Sequence, residues 1–244
     1  MKQSIFKVLT NENIADKVYK MTLSGDVSDI SATGQFVNIK LDGMFLRRPI
    51  SVCDFGDGVL TLIYKVVGKG TEYMSGLKAG KELDILTGLG NGYYTGLAGD
   101  KPLLIGGGVG VPPLYALAKD LIKNGKQVSV ILGFNSKADV FYEEEFNALG
   151  ANVFVTTADG SYGIKGFVTN ALDLVGDYTY FYTCGPEPML KAVYNATSTS
   201  GQFSFEERMG CGFGVCMGCS CKTKYRNKRI CADGPVLKKE EIVW

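Results

Sequence analysis

Cysteine carries the most visible chemistry in this chain. Five of its seven cysteines lie beyond position 210, in "CGFGVCMGCSC" and at Cys231. Cys211, Cys216, Cys219 and Cys231 follow the spacing C-x4-C-x2-C-x11-C. Thiolates are soft ligands, and this spacing wraps three of them around a [2Fe–2S] cluster and closes it with a distant fourth. Glycines at 210, 212, 214 and 218 let the loop backbone close on such a cluster and aim N–H groups at its sulfurs. A four-cysteine zinc site competes with this reading. Zinc sites of that kind pair two C-x2-C units, and only Cys216 and Cys219 form one here. Cys221 is a fifth thiol that the spacing does not need. It reads as a buried bystander, with exchange for Cys219 as the alternative.

The chain has no histidine. That excludes Ser-His-Asp and Cys-His nucleophilic catalysis, His-ligated zinc and Rieske centres. Chemistry here must use cysteine or a bound cofactor, and no catalytic residue is assigned. A second signal is "LLIGGGVGVPPL", where glycines join an apolar run to a helix-like segment. Glycines at a strand-to-helix turn favour phosphate, but the G-x-G-x-x-G fingerprint fails because position 111 is Val111. A tight strand–helix turn is the plain alternative.

The elements that must position these residues fall into three stretches. Residues 1–97 read as short strands with alternating or β-branched patterns, among them "SIFKVLTNENI", "GQFVNIKL", "RRPISVCDF" and "VLTLIYKVV". This suggests an antiparallel β barrel. Over 98–200 the style changes to alternating strands and helices, the signature of a parallel α/β domain. Helices are expected over about 112–123, 142–149, 165–175 and 187–197. Residues 201–244 read as a small cysteine domain. Within it "SCKTKYRNKRI" holds Lys222, Lys224, Arg226, Lys228 and Arg229 and no acid. It is either a solvated hairpin or a basic docking edge that speeds encounter with an acidic electron partner.

Composition adds exclusions. The 244 residues are 45% apolar, enough for packed cores, and the net charge of +1 gives no field for nucleic acid. No stretch approaches the ~20 apolar residues of a membrane span, and the N-terminus lacks the apolar run of a signal peptide. A cytoplasmic location is expected, where clustered cysteines serve metals rather than disulfides.

Three segments now agree in order: "RRPIS", "GGGVGVPP" and "TCGP". Together they resemble the ferredoxin–NADP+ reductase superfamily, whose barrel binds a flavin and whose α/β domain binds nicotinamide. With "ERMGCGFGVCMGC" and the "CADGPV" that follows, the chain is similar to the electron-transfer subunits of NAD-linked dihydroorotate dehydrogenase B. That resemblance spans essentially the whole chain. It implies FAD, a [2Fe–2S] cluster and NAD(H) as co-substrate. The flavin segments would be Arg48, Pro49, Ile50 and Ser51, then Ile63, Tyr64 and Lys65, then Gly70 and Thr71. Arg48 would meet the FAD pyrophosphate, with Arg47 able to share the task, and Ser51 would lie near the reactive edge of the ring. Gly106, Gly107, Gly108 and Gly110 would face the nicotinamide nucleotide. Cys184, Gly185 and Pro186 would lie beside the nicotinamide, with Cys184 a packing residue rather than a nucleophile. Asp139 is the candidate for preferring NAD, blurred by the nearby Lys137. Glu206 would either touch the flavin region or form a surface ion pair.

The resemblance also implies a partner, an FMN-containing catalytic subunit that oxidises dihydroorotate in pyrimidine biosynthesis, in a heterotetramer with two copies of each chain. Two other readings remain open. One is the equivalent subunit of a hydrogenase or ferredoxin-linked transhydrogenase. The other is a zinc-stabilised binding module without flavin.

Overall fold

The computed structural model describes residues 1–244. The N-terminal part is built from β1 (Lys2–Ala15), β2 (Val18–Ser24), β3 (Phe36–Ile39), β4 (Arg48–Gly56), β5 (Val59–Lys65), α1 (Lys69–Ser75) and β6 (Glu82–Leu89). The six strands close into an antiparallel barrel in the order β1-β2-β5-β4-β3-β6. Alternation drives the closure. Phe6 and Val8 of β1 point inward, as do Met21 and Leu23 of β2 and Leu60 and Leu62 of β5. Each such side chain contributes ~1.5–3 kcal/mol on full burial.

The second part comprises β7 (Pro102–Gly107), α2 (Pro113–Lys123), β8 (Ser129–Phe134), α3 (Glu143–Ala148), β9 (Asn152–Thr157), β10 (Ile164–Lys165), α4 (Leu172–Val175), β11 (Tyr180–Cys184) and α5 (Glu187–Ala196). Every residue of β7 is buried, as expected of a central parallel strand covered on both faces. Helix α2 packs Leu114, Leu117, Ala118 and Leu121 inward, one stripe of a 3.6-residue period. The last strands are β12 (Gly201–Ser204), β13 (Ser220–Lys222), β14 (Asn227–Arg229) and β15 (Val236–Lys238).

Strand order in the larger sheet is β10-β9-β8-β7-β11-β12-β15, parallel except for the edge strand β15. The C-terminal stretch from 201 is therefore not wholly separate from the α/β part. Its first and last strands extend that sheet, and the cysteine loop is the excursion between them. A two-stranded hairpin, β13–β14, lies inside the excursion.

Local departures from the sequence expectations have physical causes. The segment "GKGT" opens α1 in spite of its two glycines. The Thr71 hydroxyl accepts from the amides of Val67 and Gly68 and donates back to the Gly68 carbonyl, closing the first turn. The helix expected over 165–175 is short. Gly166 sits at φ +124° and Asn170 Oδ1 accepts the Phe167 amide, so a 3-10 turn over 168–171 precedes α4. No helix of the chain is long and apolar enough to cross a membrane.

The barrel and the α/β part share a core. Val18, Cys53 and Ile63 of the barrel cluster with Leu114, Leu117 and Tyr142. Three polar links reinforce it: Lys65 to Asp139, Lys119 to Asp54, and the Asp16 amide to the Ala138 carbonyl.

Candidate redox centre

The four predicted cysteines come together at the tip of the C-terminal excursion, in two close pairs. Cys211 Sγ accepts from the amides of Val215 and Cys216 at 3.3 and 3.4 Å, and Cys216 Sγ accepts from the Cys211 amide at 3.4 Å. Cys219 Sγ accepts from the Cys231 amide at 3.4 Å. Cys219 and Cys231 are buried, while Cys216 is exposed. Two pairs suit two irons, so the donor set fits a [2Fe–2S] cluster.

The loop already shapes its thiols. Burial pushes Cys211 up, but amides of Cys216, Phe213 and Val215 outweigh it and bring the thiol down to about 6. Burial pushes Cys231 up to about 12, helped by the adjacent Cys219. Cys221 packs against the apolar cluster that also holds Cys219 and Cys231, and burial raises its thiol.

On the barrel, Arg48 and Gly70 meet although they lie on different elements. A Cβ on Gly70 would stand 2.1 Å from Arg48 Nε, so a side chain there would displace the guanidinium. Arg48 hydrogen-bonds the carbonyls of Leu46 and Arg47 but faces no carboxylate. Arg47 does not share that position. Its guanidinium pairs with Asp84 at 2.9 Å and is spent there. An unpaired arginine in a glycine cradle fits the diphosphate of a dinucleotide flavin.

The second flavin segment divides by strand alternation. Tyr64 points into the barrel, where its hydroxyl donates to Asn11 Oδ1 and its ring stacks on Tyr19. It can serve a cofactor only through its main chain. Ile63 and Lys65 face the α/β part. Thr71 spends its hydroxyl inside its own turn. Cross-strand register sets Ser51 opposite Phe36 and Pro49 opposite Asn38.

At the head of β7 the glycines have two jobs. Gly107 and Gly108 line a cavity of about 420 Å3 with Pro186, Met189, Lys65 and Asp139. Gly106 and Gly110 are packed instead. Gly106 pairs with Cys184, and a Cβ on Gly110 would lie 2.3 Å from the Cys184 carbonyl oxygen. The "GGGVG" turn and "CGP" thus form one wall. Burial pushes the Cys184 thiol up to about 12, which suits packing and not nucleophilic attack. Asp139 lines the cavity, yet one oxygen pairs with Lys65 at 3.0 Å and the other accepts from Ser136. Burial opposes its ionisation, but Lys65 and Ser136 outweigh burial and hold the carboxyl below its ordinary range. Glu206 is exposed and makes no ion pair.

Two residues escaped the sequence reading. Thr156 lines the same cavity, fully buried, with its hydroxyl oxygen unpartnered. Asn38 lies between the barrel and the cysteine loop. The only sequence signal for Asn38 is a polar residue inside the apolar run "FVNI".

Comparison with known proteins decides the family. Residues 206–243 match the iron-sulfur cluster binding domain of dihydroorotate dehydrogenase B, and residues 104–195 match the oxidoreductase NAD-binding domain. A dihydroorotate dehydrogenase B (NAD(+)) electron transfer subunit from Bacillus pumilus is 46% identical, covering 99% of this chain and 98% of that one. The protein of the same name from Fusobacterium nucleatum is also 46% identical, over 95% of each chain. The chain belongs to the dihydroorotate dehydrogenase B electron-transfer subunit family. Among solved structures, an NADH-dependent reduced ferredoxin-NADP oxidoreductase superposes with a TM-score of 0.89 at 31% identity, over 98% of this chain and 90% of that one. A ferredoxin NADP+ reductase from Neisseria gonorrhoeae shares the fold, with a TM-score of 0.70 at 16% identity, over 80% of this chain and 90% of that one. Family and fold together make FAD, [2Fe–2S] and NAD(H) the cofactors of this oxidoreductase subunit.

Proposed function

We propose that this chain carries electrons from a dihydroorotate-oxidising partner to NAD+ through [2Fe–2S] and FAD, in the cytoplasm. The cofactors supply the redox chemistry: the cluster handles single electrons, and the flavin exchanges a hydride with the nicotinamide. The chain's own residues bind and orient. Cys211, Cys216, Cys219 and Cys231 hold the cluster. Arg48 with Gly70 binds the flavin diphosphate. Pro49, Ile50, Ser51 and the main chain of Ile63, Tyr64, Lys65 and Thr71 seat the rest of the flavin. Gly107, Gly108 and Pro186 receive the nicotinamide nucleotide, while Gly106, Gly110, Cys184 and Gly185 hold that wall in shape. Residues 1–97 thus serve FAD, 98–200 NAD(H) and 201–244 the cluster.

One observation carries this reading: the cysteine loop rests on β3, the strand paired with "RPIS", so cluster and flavin segments meet across one strand pair. The partner is an FMN-containing catalytic chain, assembled two and two. Exposed Phe213, Val215 and Met217 on the cluster loop support docking there. So do Lys222 and Lys224, which pair with no acid, unlike Arg226, Lys228 and Arg229.

A second reading has support from the ferredoxin-linked structural relative at 31% identity, but the curated relatives at 41–46% favour the first. Mixing the purified chain with a dihydroorotate-oxidising subunit separates them. Dihydroorotate-dependent NADH formation that needs both chains is expected. NADH formation only with reduced ferredoxin would overturn the proposal.

A further inference from the structure

Asn38 sits in the middle of β3 and is 1% exposed. Its neighbours Val37 and Ile39 point into the barrel core, so alternation turns Asn38 out toward the cysteine excursion. Phe36, on the same outer face, packs in the cluster that contains Cys219 and Cys231. Opposite Asn38 on β4 lies Pro49, and opposite Phe36 lies Ser51. Side chains directly opposite in an antiparallel pair share a face. Asn38 therefore stands on the face that carries alternate residues of "RPIS".

The amide is held tightly on one side. Its Nδ2 donates to the Cys211 carbonyl at 3.1 Å. A Cβ on Gly212 would lie 2.3 Å from that Nδ2, and Gly212 has φ +77°, so glycine lets the loop settle onto the amide. The Asn38 carbonyl is pinned too, accepting from Arg47 at 3.3 Å. Its Oδ1, by contrast, is buried and has no partner in the chain. A buried amide oxygen without a donor is destabilising, and buried polar groups are almost always paired. Thiolate and sulfide sulfurs only accept. FAD brings hydroxyl and N–H donors.

We propose that Asn38 is a positioning residue that joins the two redox centres. Its Nδ2 holds the main chain of Cys211, and its Oδ1 accepts a hydrogen bond from FAD. One side chain then sets the cluster loop and the flavin in register. This rests on the reading that the chain holds both cofactors, so iron and flavin are assayed on every preparation. A wild-type protein lacking either would overturn that reading and this one. Wild type holding both, with a silent Asn38 variant, would overturn this one alone.

The test uses Asn38→Leu, branched in the same way and unable to hydrogen-bond. FAD dissociation is expected to rise about tenfold. The electron paramagnetic resonance spectrum of the reduced cluster is expected to change, since the Cys211 main chain loses its anchor. A purely structural asparagine would lower the melting temperature and leave both signals as in wild type, which would overturn the proposal. If Asn38→Leu does not fold, wild type decides by hydrogen exchange. FAD loading is expected to slow exchange of the amides over 211–214; unchanged exchange would overturn the link.

Discussion

Arg48 is the clearest single test of the proposed flavin cradle. Its guanidinium lacks a carboxylate and lies against Gly70, where a side chain would displace it. A hydrogen bond to a charged group contributes about 1.5–3 kcal/mol, or roughly 10–100-fold in binding. Arg48→Ala is therefore expected to weaken FAD binding by that factor, measured by flavin fluorescence on dilution. Arg47→Ala removes the ion pair with Asp84 instead. It is expected to cost stability before it costs flavin. The sequence placed two adjacent arginines at this site and left their shares open; the distance from Arg47 to Asp84 divides them. The grouping of the four cysteines was legible because it is encoded in local spacing. Thr156 was not, because its importance lies in burial without a partner, which no spacing records.

At the scale of elements, the barrel and the nicotinamide wall are joined by the Lys65–Asp139 pair, from the end of β5 to the turn after β8. Asp139 titrates below its ordinary range in the folded chain. Its contribution is thus fully present above the unfolded value of about 3.9 and is lost as pH falls through the lower folded value. The pair is partly exposed, so about 1 kcal/mol is at stake. Asp139→Asn is expected to lower stability by that amount at pH 7 in denaturant titration, with the gap from wild type closing below about pH 4. A gap that persists in acid would show that the ion pair is not its source. The long strands and α2 were readable from period alone. The first turn of α1 was not, since it depends on a threonine hydroxyl replacing missing amide partners, and Gly68 and Gly70 read locally as loop. The strand Gly201–Ser204 was hidden for another reason: four residues are too few to show a period, and their partner β11 supplies the order.

The whole molecule brings chemistry from both ends of the sequence to one place. The cysteine loop is tethered by β12 and β15 to the α/β sheet and fixed to the barrel exit by Asn91, which bonds Gly234 and Val236. It then leans on β3 through Asn38. The arginine, glycine and cysteine segments were each legible in the chain. Their contact was not, because Asn38 and Cys211 are far apart in sequence and only the closed barrel brings them together. One chain holds both FAD and [2Fe–2S]. The most direct measurement is the absorption spectrum of anaerobically purified protein, with iron, zinc and flavin assayed on the same sample. Flavin bands with added long-wavelength absorbance, one FAD and about two irons per chain, are expected. Stoichiometric zinc without iron or flavin would contradict the account and turn the four cysteines into structural ligands.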